Sequence, residues 1–278
     1  MTKHLKAVLF SIALLAVIVP ASTLAVPSTN LYEEGGEIFD DWDLCRTHAS
    51  GDDGFFQIYS QSEFCPIIVG ESLGENADRA YQAGQQIAQD YPDLNQRAEK
   101  VFTFSRDKIR YLSDADQFGF GEFAQNADEM ATTIDEEGLA YGDCEDYAIL
   151  LAVMYKGAGF RSAIVLAPEH AAALVYLPKY NKANQTLSLN GESGWVWAEA
   201  TGGNNYLGWM PERFIGASLG AYEVKNEAIT EIEPPDKPST TVTKGGGSTG
   251  IRISPFFGVI AMMWLLSLFG RRRRVLRS

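Results

Sequence analysis

Apolar residues recur along this chain in two periods, first helical and then strand-like. Residues 76–90 are rich in Ala, Gln and Glu and read as a helix that Pro92 ends. Ala98, Val101, Phe102, Ser105 and Ile109 then mark one face of a second helix, closed by Tyr111. Residues 113–141 are acidic, glycine-rich and without a strong period, so they read as a long loop with a short helix, lying over whatever Cys144 faces. Ala148, Leu151, Ala152 and Tyr155 return to helical spacing, and Gly157 and Gly159 stop that helix. Three strand-like runs follow, 161–166, 170–177 and 195–199, with turn residues over 181–194 reading as a hairpin loop. Helices followed by strands predict an α+β domain.

The two ends carry longer apolar runs that belong to no such domain. Lys3 and Lys6 precede the apolar residues 7–19, Pro20 and a small-residue zone, the layout of a secretory signal peptide ending near residue 25. Residues 255–269 carry no charge and Arg271–Arg274 follow at once, which reads as a membrane segment with a cytoplasmic stop. That run is short for a bilayer, so Ile251 and Ile253 join it or the arginines snorkel. Before it, residues 230–250 contain Gly245-Gly246-Gly247-Ser248 and read as a flexible tether. The predicted order is a signal peptide over 1–25, an extension over 26–75, a domain over 76–229, the linker, a membrane or sorting segment over 251–270 and a basic tail over 271–278. Glycines, a short apolar helix and an arginine cluster also resemble the Gly-Gly sorting tails of exported bacterial proteins. That resemblance implies a membrane protease that processes the tail, leaving the domain released or transferred to the surface.

Charge and cysteines narrow the function. The net charge is −13 and both ends are basic, so the part between them is more acidic still, which speaks against a nucleic-acid partner. There are three cysteines. Cys45 and Cys65 flank a loop-rich stretch, and in an oxidising compartment a disulfide between them is the default expectation. Cys45 with His48 also has a metal-like spacing, but with no second ligand pair in the sequence zinc is the weaker reading. Cys144 is left over.

Cys144 lies in Gly142-Asp143-Cys144-Glu145-Asp146-Tyr147-Ala148, at a helix start, where a thiol nucleophile belongs. His4 falls in the leader and His48 beside Cys45, so His170 is the one base candidate after Cys144. Alternation puts His170, Ala172, Leu174 and Tyr176 on one strand face. Glu199 ends the next strand, on the face of Trp195 and Trp197, and could orient the imidazole. Asp143, Glu145 and Asp146 suit a helix amino terminus yet raise a neighbouring thiol's pKa. An Asp143 cap with Asp146 returning the bond is the expectation for these acids.

The order of Cys at a helix start, His on a strand and an acid on the next resembles the transglutaminase-like superfamily, over about 98–214. The segments that carry the resemblance are AEKVFTFSRDKIRYLSD, GDCEDYAILLAVMYKGAGFRSAIVL, EHAAALVYL and WVWAEATGGNNYLGWMPE. It implies a papain-like α+β core with the catalytic cysteine's helix packed on an antiparallel sheet. It also implies a Cys144, His170, Glu199 triad acting on amide bonds of protein or peptide substrates at the cell envelope. Hydrolysis is the preferred reading over amine crosslinking, and a binding or scaffold protein that keeps the fold without turnover is the alternative. Glu199 stands where the family usually has Asp, and Ala172 and Ala173 stand where an aromatic often follows the histidine. The DCED run further resembles periplasmic bacterial transglutaminase-like proteinases, in which acids beside the cysteine bind calcium. The cap remains the preferred reading, so no cofactor or metal is expected.

Overall fold

The computed structural model describes residues 30–60 and 62–225. The predicted leader, the tether after residue 229, the membrane segment and the basic tail lie outside the described residues. Among those described, no helix is long and apolar enough to cross a membrane.

Two short strands open the chain, β1 (Leu31–Glu34) and β2 (Glu37–Asp40), paired as an antiparallel hairpin. Helices α1 (Arg79–Asp90) and α2 (Leu94–Lys108) follow near the predicted positions, but Ile109 and Tyr111, read as the end of the second helix, lie in a strand instead. Asp93 caps α2 by accepting from the Gln96 N–H, and Arg106 and Lys108 sit in its last turn, where cations are favoured. The parallel pair β3 (Ile109–Tyr111) and β4 (Ala140–Gly142) brackets the stretch predicted to be mostly loop. That stretch instead contains α3 (Asp114–Gln117) and the longer α4 (Ala127–Glu137). Asn126 and Glu129 form a capping box at the start of α4, and Gly138, at φ 84°, ends it.

Helix α5 (Cys144–Gly157) is the centre of the molecule, buried continuously from Glu145 to Gly157. Between Tyr147 and Tyr155 its sequence is apolar all round, as expected for a helix packed on every side. Gly84 and Gly157 let α1 come close to it: a Cβ on Gly84 would lie 2.1 Å from the Met154 carbonyl oxygen, and one on Gly157 would lie 2.0 Å from that of Tyr81.

One face of α5 rests on an antiparallel sheet of β5 (Ser162–Ala167), β6 (His170–Tyr176), β7 (Thr186–Leu189), β8 (Glu192–Ala198) and β9 (Gly220–Val224), in the order β7-β8-β6-β5-β9. The mixed helix-and-sheet architecture and the helix-on-sheet packing match the expectation; β7, β9 and the β1–β2 hairpin were not predicted. Ile164, Ala173, Val175 and Val196 face the helix core, while Val165, Leu174, Trp195 and Trp197 belong to a second core with Met210 and Phe214. Both faces of the sheet are therefore covered, which explains why its strands read as nearly continuous apolar runs.

The expected Cys45–Cys65 disulfide is absent: both thiols are free and buried. Each sulfur has another partner. Cys45 Sγ lies 3.1 Å from His48 Nδ1, and the Cys65 thiol bonds with Tyr222. The extension is fastened by Arg46, fully buried, whose guanidinium bonds Asp40, Glu71 (2.8 Å) and Glu129 (2.9 Å).

Candidate active site

Cys144 is the first residue of α5, so its sulfur stands at the positive end of a buried helix. Asp143 is the N-cap, and Asp146 Oδ2 accepts the Asp143 N–H at 3.2 Å, the return half of the anticipated cap. His170 opens β6 after the tight turn at Glu169, and Glu199 lies one residue beyond β8.

The structure joins His170 and Glu199 directly, through a bond from His170 Nε2 to Glu199 Oε2. Their side chains are 9% and 4% exposed. Thr201 donates its hydroxyl and its backbone N–H to Glu199 Oε1, and Asn205 Nδ2 holds the Glu199 carbonyl at 3.0 Å. The imidazole stacks on Phe214, with ring centroids 5.3 Å apart and planes 11° from parallel. Burial by itself would raise the Glu199 carboxyl, but His170 and Thr201 hold it below its ordinary value. A carboxylate at Nε2 favours the tautomer with its proton on that nitrogen, and Nδ1 makes no hydrogen bond among the described residues.

The thiol is placed differently. Cys144 Sγ donates to Glu145 Oε2 at 3.2 Å, and the Ala171 N–H is directed at the sulfur, but no hydrogen bond joins Cys144 to His170. Cys144 thus reaches the residue next to His170, from the helix side of β6. Burial, with Glu145 and Asp143, raises the thiol well above its usual pKa, while the Ala171 N–H works the other way. At rest this is a protonated thiol bonded to a neighbouring acid.

Acids from three segments surround it. Asp114, Asp143 and Asp146 place carboxylate oxygens within 4.8 Å of one another. Burial raises Asp146 and Glu145 well above the usual carboxylate range and, with Asp143 adding to it, lifts Asp114 and Glu122 to about 7. Gln125 partly offsets this, donating its N–H to Asp146 Oδ1 and its Nε2 to Oδ2. Asp114 Oδ1 and Asp143 Oδ1 are buried with no hydrogen-bond partner among the described residues. Asp114, Glu122 and Gln125 were missed from sequence, and nothing local marks them: they arrive through the fold of 113–126. Thr201 was visible as the residue two after Glu199. A cleft of about 450 Å³ opens alongside, lined by Arg106, Tyr111, Tyr147 and Thr201.

One consequence is a pH-dependent contribution to stability. Glu199 has its folded pKa below the unfolded value near 4.5, so its contribution is present above that value and is lost as pH falls through the lower, folded one. Glu199→Gln is expected to destabilise the protein at pH 7 and to cost less at an acidic pH below 4.5. Urea unfolding at the two pH values checks this, and an equal cost at both would contradict it.

No protein-family model matches this chain, and no curated protein matches it. Among solved structures, one described as a "putative cysteine protease" from Cytophaga hutchinsonii is similar over 53% of this chain, at 16% sequence identity and a TM-score of 0.28. The match spans about half of that protein, 50% of its length. A likeness this loose defines neither a family nor a reaction.

Proposed function

We propose that this chain is an exported, membrane-tethered thiol enzyme that cleaves amide bonds in protein or peptide substrates, with Cys144 as nucleophile, His170 as base and Glu199 as its orienting acid. One observation carries the reading: a half-buried His170 is held at Nε2 by a carboxylate, with Nδ1 making no hydrogen bond among the described residues, beside the strand residue whose N–H meets the Cys144 sulfur. For attack the thiol turns from Glu145 toward Nδ1. His170 takes the thiol proton as sulfur adds to the amide carbonyl, then gives it to the departing amine as the C–N bond breaks. Water, activated by the same nitrogen, adds to the thioester and releases the acid and the thiol. The leader, the tether and the apolar segment with its arginines support export, a membrane anchor and tail processing by a protease.

The test is incubation with a peptide library and mass spectrometry of the products. New termini bearing one added water are expected from the wild type and none from Cys144→Ala; incorporation of an added amine would make the enzyme a crosslinker. Absence of any Cys144-dependent product would leave the second reading, a cell-envelope binding or scaffold protein. The bond from Cys144 to Glu145 instead of His170 is what favours that alternative.

The acids beside the cysteine fit the calcium implied by the resemblance better than the cap alone does. Asp114, Asp143 and Asp146 would hold it: all offer oxygen, the donor a hard cation takes, and two of their buried oxygens are unpartnered. A bound calcium would supply positive charge to offset the acids that raise the thiol. Calcium is then expected to raise the melting temperature of the wild type and not that of Asp146→Asn.

A further inference from the structure

The extension holds a second cluster that amide chemistry at Cys144 does not use. Glu37 on β2 and Cys45 and His48 in the following loop each place one ligand atom within 4.8 Å of the others. We infer that Glu37 Oε2, Cys45 Sγ and His48 Nδ1 form a zinc site, with water in the fourth position.

The donor set is the first argument. A thiolate, an imidazole and a carboxylate are the ligands zinc takes, and three protein ligands plus water complete a tetrahedron. Ligand atoms bound to one tetrahedral zinc lie about 3.3 to 3.8 Å apart, given the usual bond lengths. Cys45 Sγ to His48 Nδ1 is 3.1 Å and His48 Nδ1 to Glu37 Oε2 is 4.0 Å, so shifts of a few tenths of an ångström bring both into range.

The surroundings of each ligand are the second argument. His48 is bonded through Nε2 to Asp53 Oδ1 at 3.0 Å, the carboxylate–histidine arrangement that presents the other nitrogen to a metal. Thr47 Oγ1 donates to Glu37 Oε2 at 2.5 Å and lies 3.4 Å from Cys45 Sγ, fixing both. The neighbouring Arg46 locks the loop to the core through its three carboxylates. Backbone bonds from Cys45 N–H to the Asp53 carbonyl (2.6 Å) and from Arg46 N–H to the Ile38 carbonyl (2.8 Å) set β2 against the loop.

The same contacts could describe a second Cys-His-Asp nucleophile, but access decides against it. Cys45 is 0% exposed, so no substrate carbonyl reaches its sulfur. The His48 and Glu37 side chains are 27% and 38% exposed and leave a path for an ion. Binding converts the Cys45 thiol to a zinc thiolate and releases its proton to solvent, with no change in oxidation state. The metal ties Glu37 of the hairpin to Cys45 and His48 of the loop.

The test uses the full chain and cobalt(II) as a spectroscopic stand-in for zinc. One equivalent of Co²⁺ is expected to give a thiolate-to-metal charge-transfer band and the intense visible bands of a tetrahedral site, both displaced by Zn²⁺. His48→Ala and Glu37→Ala, at partly exposed positions, should lose or strongly weaken the bands. Asp53→Asn should weaken binding by about 10- to 100-fold, and Cys144→Ala should leave it unchanged. No thiolate band, full binding by His48→Ala and Glu37→Ala, or loss of the band in Cys144→Ala would each overturn the site.

Discussion

Replacing His170 by Ala is expected to lower amide turnover by about 10²- to 10⁴-fold, the usual worth of a positioned general base. The same change should remove the reactivity of Cys144 toward a mild alkylating agent near neutral pH. Three features of the site lead to this. Burial and the acids Glu145 and Asp143 keep the thiol protonated, so an outside base has to take its proton. Glu199, itself held by Thr201, occupies His170 Nε2 and leaves Nδ1 without a hydrogen bond among the described residues. No other histidine lies in the domain after Cys144. Initial rates and alkylation kinetics on folded wild-type and variant protein measure the effect. A variant that alkylates at the wild-type rate would mean that His170 does not act on the thiol.

Arg46→Ala should have the largest effect on stability. It leaves Asp40 and Glu71, both fully buried, without their shared cation, and Glu129 with its capping bond to the Asn126 N–H but no cation. Removing one side of a buried ion network typically costs about 3 to 5 kcal/mol. Burial already raises Glu71 well above the usual carboxylate range even with Arg46 beside it. Arg79→Ala makes the comparison, since its pair with Asp135 is exposed and worth at most about 1 kcal/mol. Urea unfolding of both variants decides it, and equal midpoints would contradict the network's weight. The loss should also reach the site. Arg46 Nη1 holds the Ala124 carbonyl at 3.0 Å, and the next residue, Gln125, secures Asp146 at the head of α5.

The parts of the fold legible in the sequence are those fixed by local period. Ala148, Leu151, Ala152 and Tyr155 announce α5, and alternation places His170 on the face of Ala172 and Leu174, where it stacks on Phe214. The pairing of His170 with Glu199 was legible as well, because the strand ends that carry them are neighbours. Other features depend on contacts distant in sequence. Asp114 reaches Asp143 only because β3 and β4 run parallel and bring their ends together. The helix α4 was not read from the sequence, because the glycines and acids around it masked its period; its Asn126–Glu129 capping box emerges from the fold. The disulfide expectation failed on direction: cysteine counts give no account of where a side chain points, and Cys45 points at His48. Glu145 taking the Cys144 thiol could not be read either, since neighbours along a helix do not normally face each other.

The most direct test of the central claim is thiol labelling of the folded protein near neutral pH, with calcium present and the modified peptides identified by mass spectrometry. The chain supplies its own controls, because Cys45 and Cys65 are buried while Cys144 is partly exposed. A nucleophile paired with His170 predicts that label accumulates first on the peptide carrying Cys144, at a rate that falls in His170→Ala. Cys144 that labels no faster than Cys45 and Cys65, or that labels equally with His170 removed, would contradict the account.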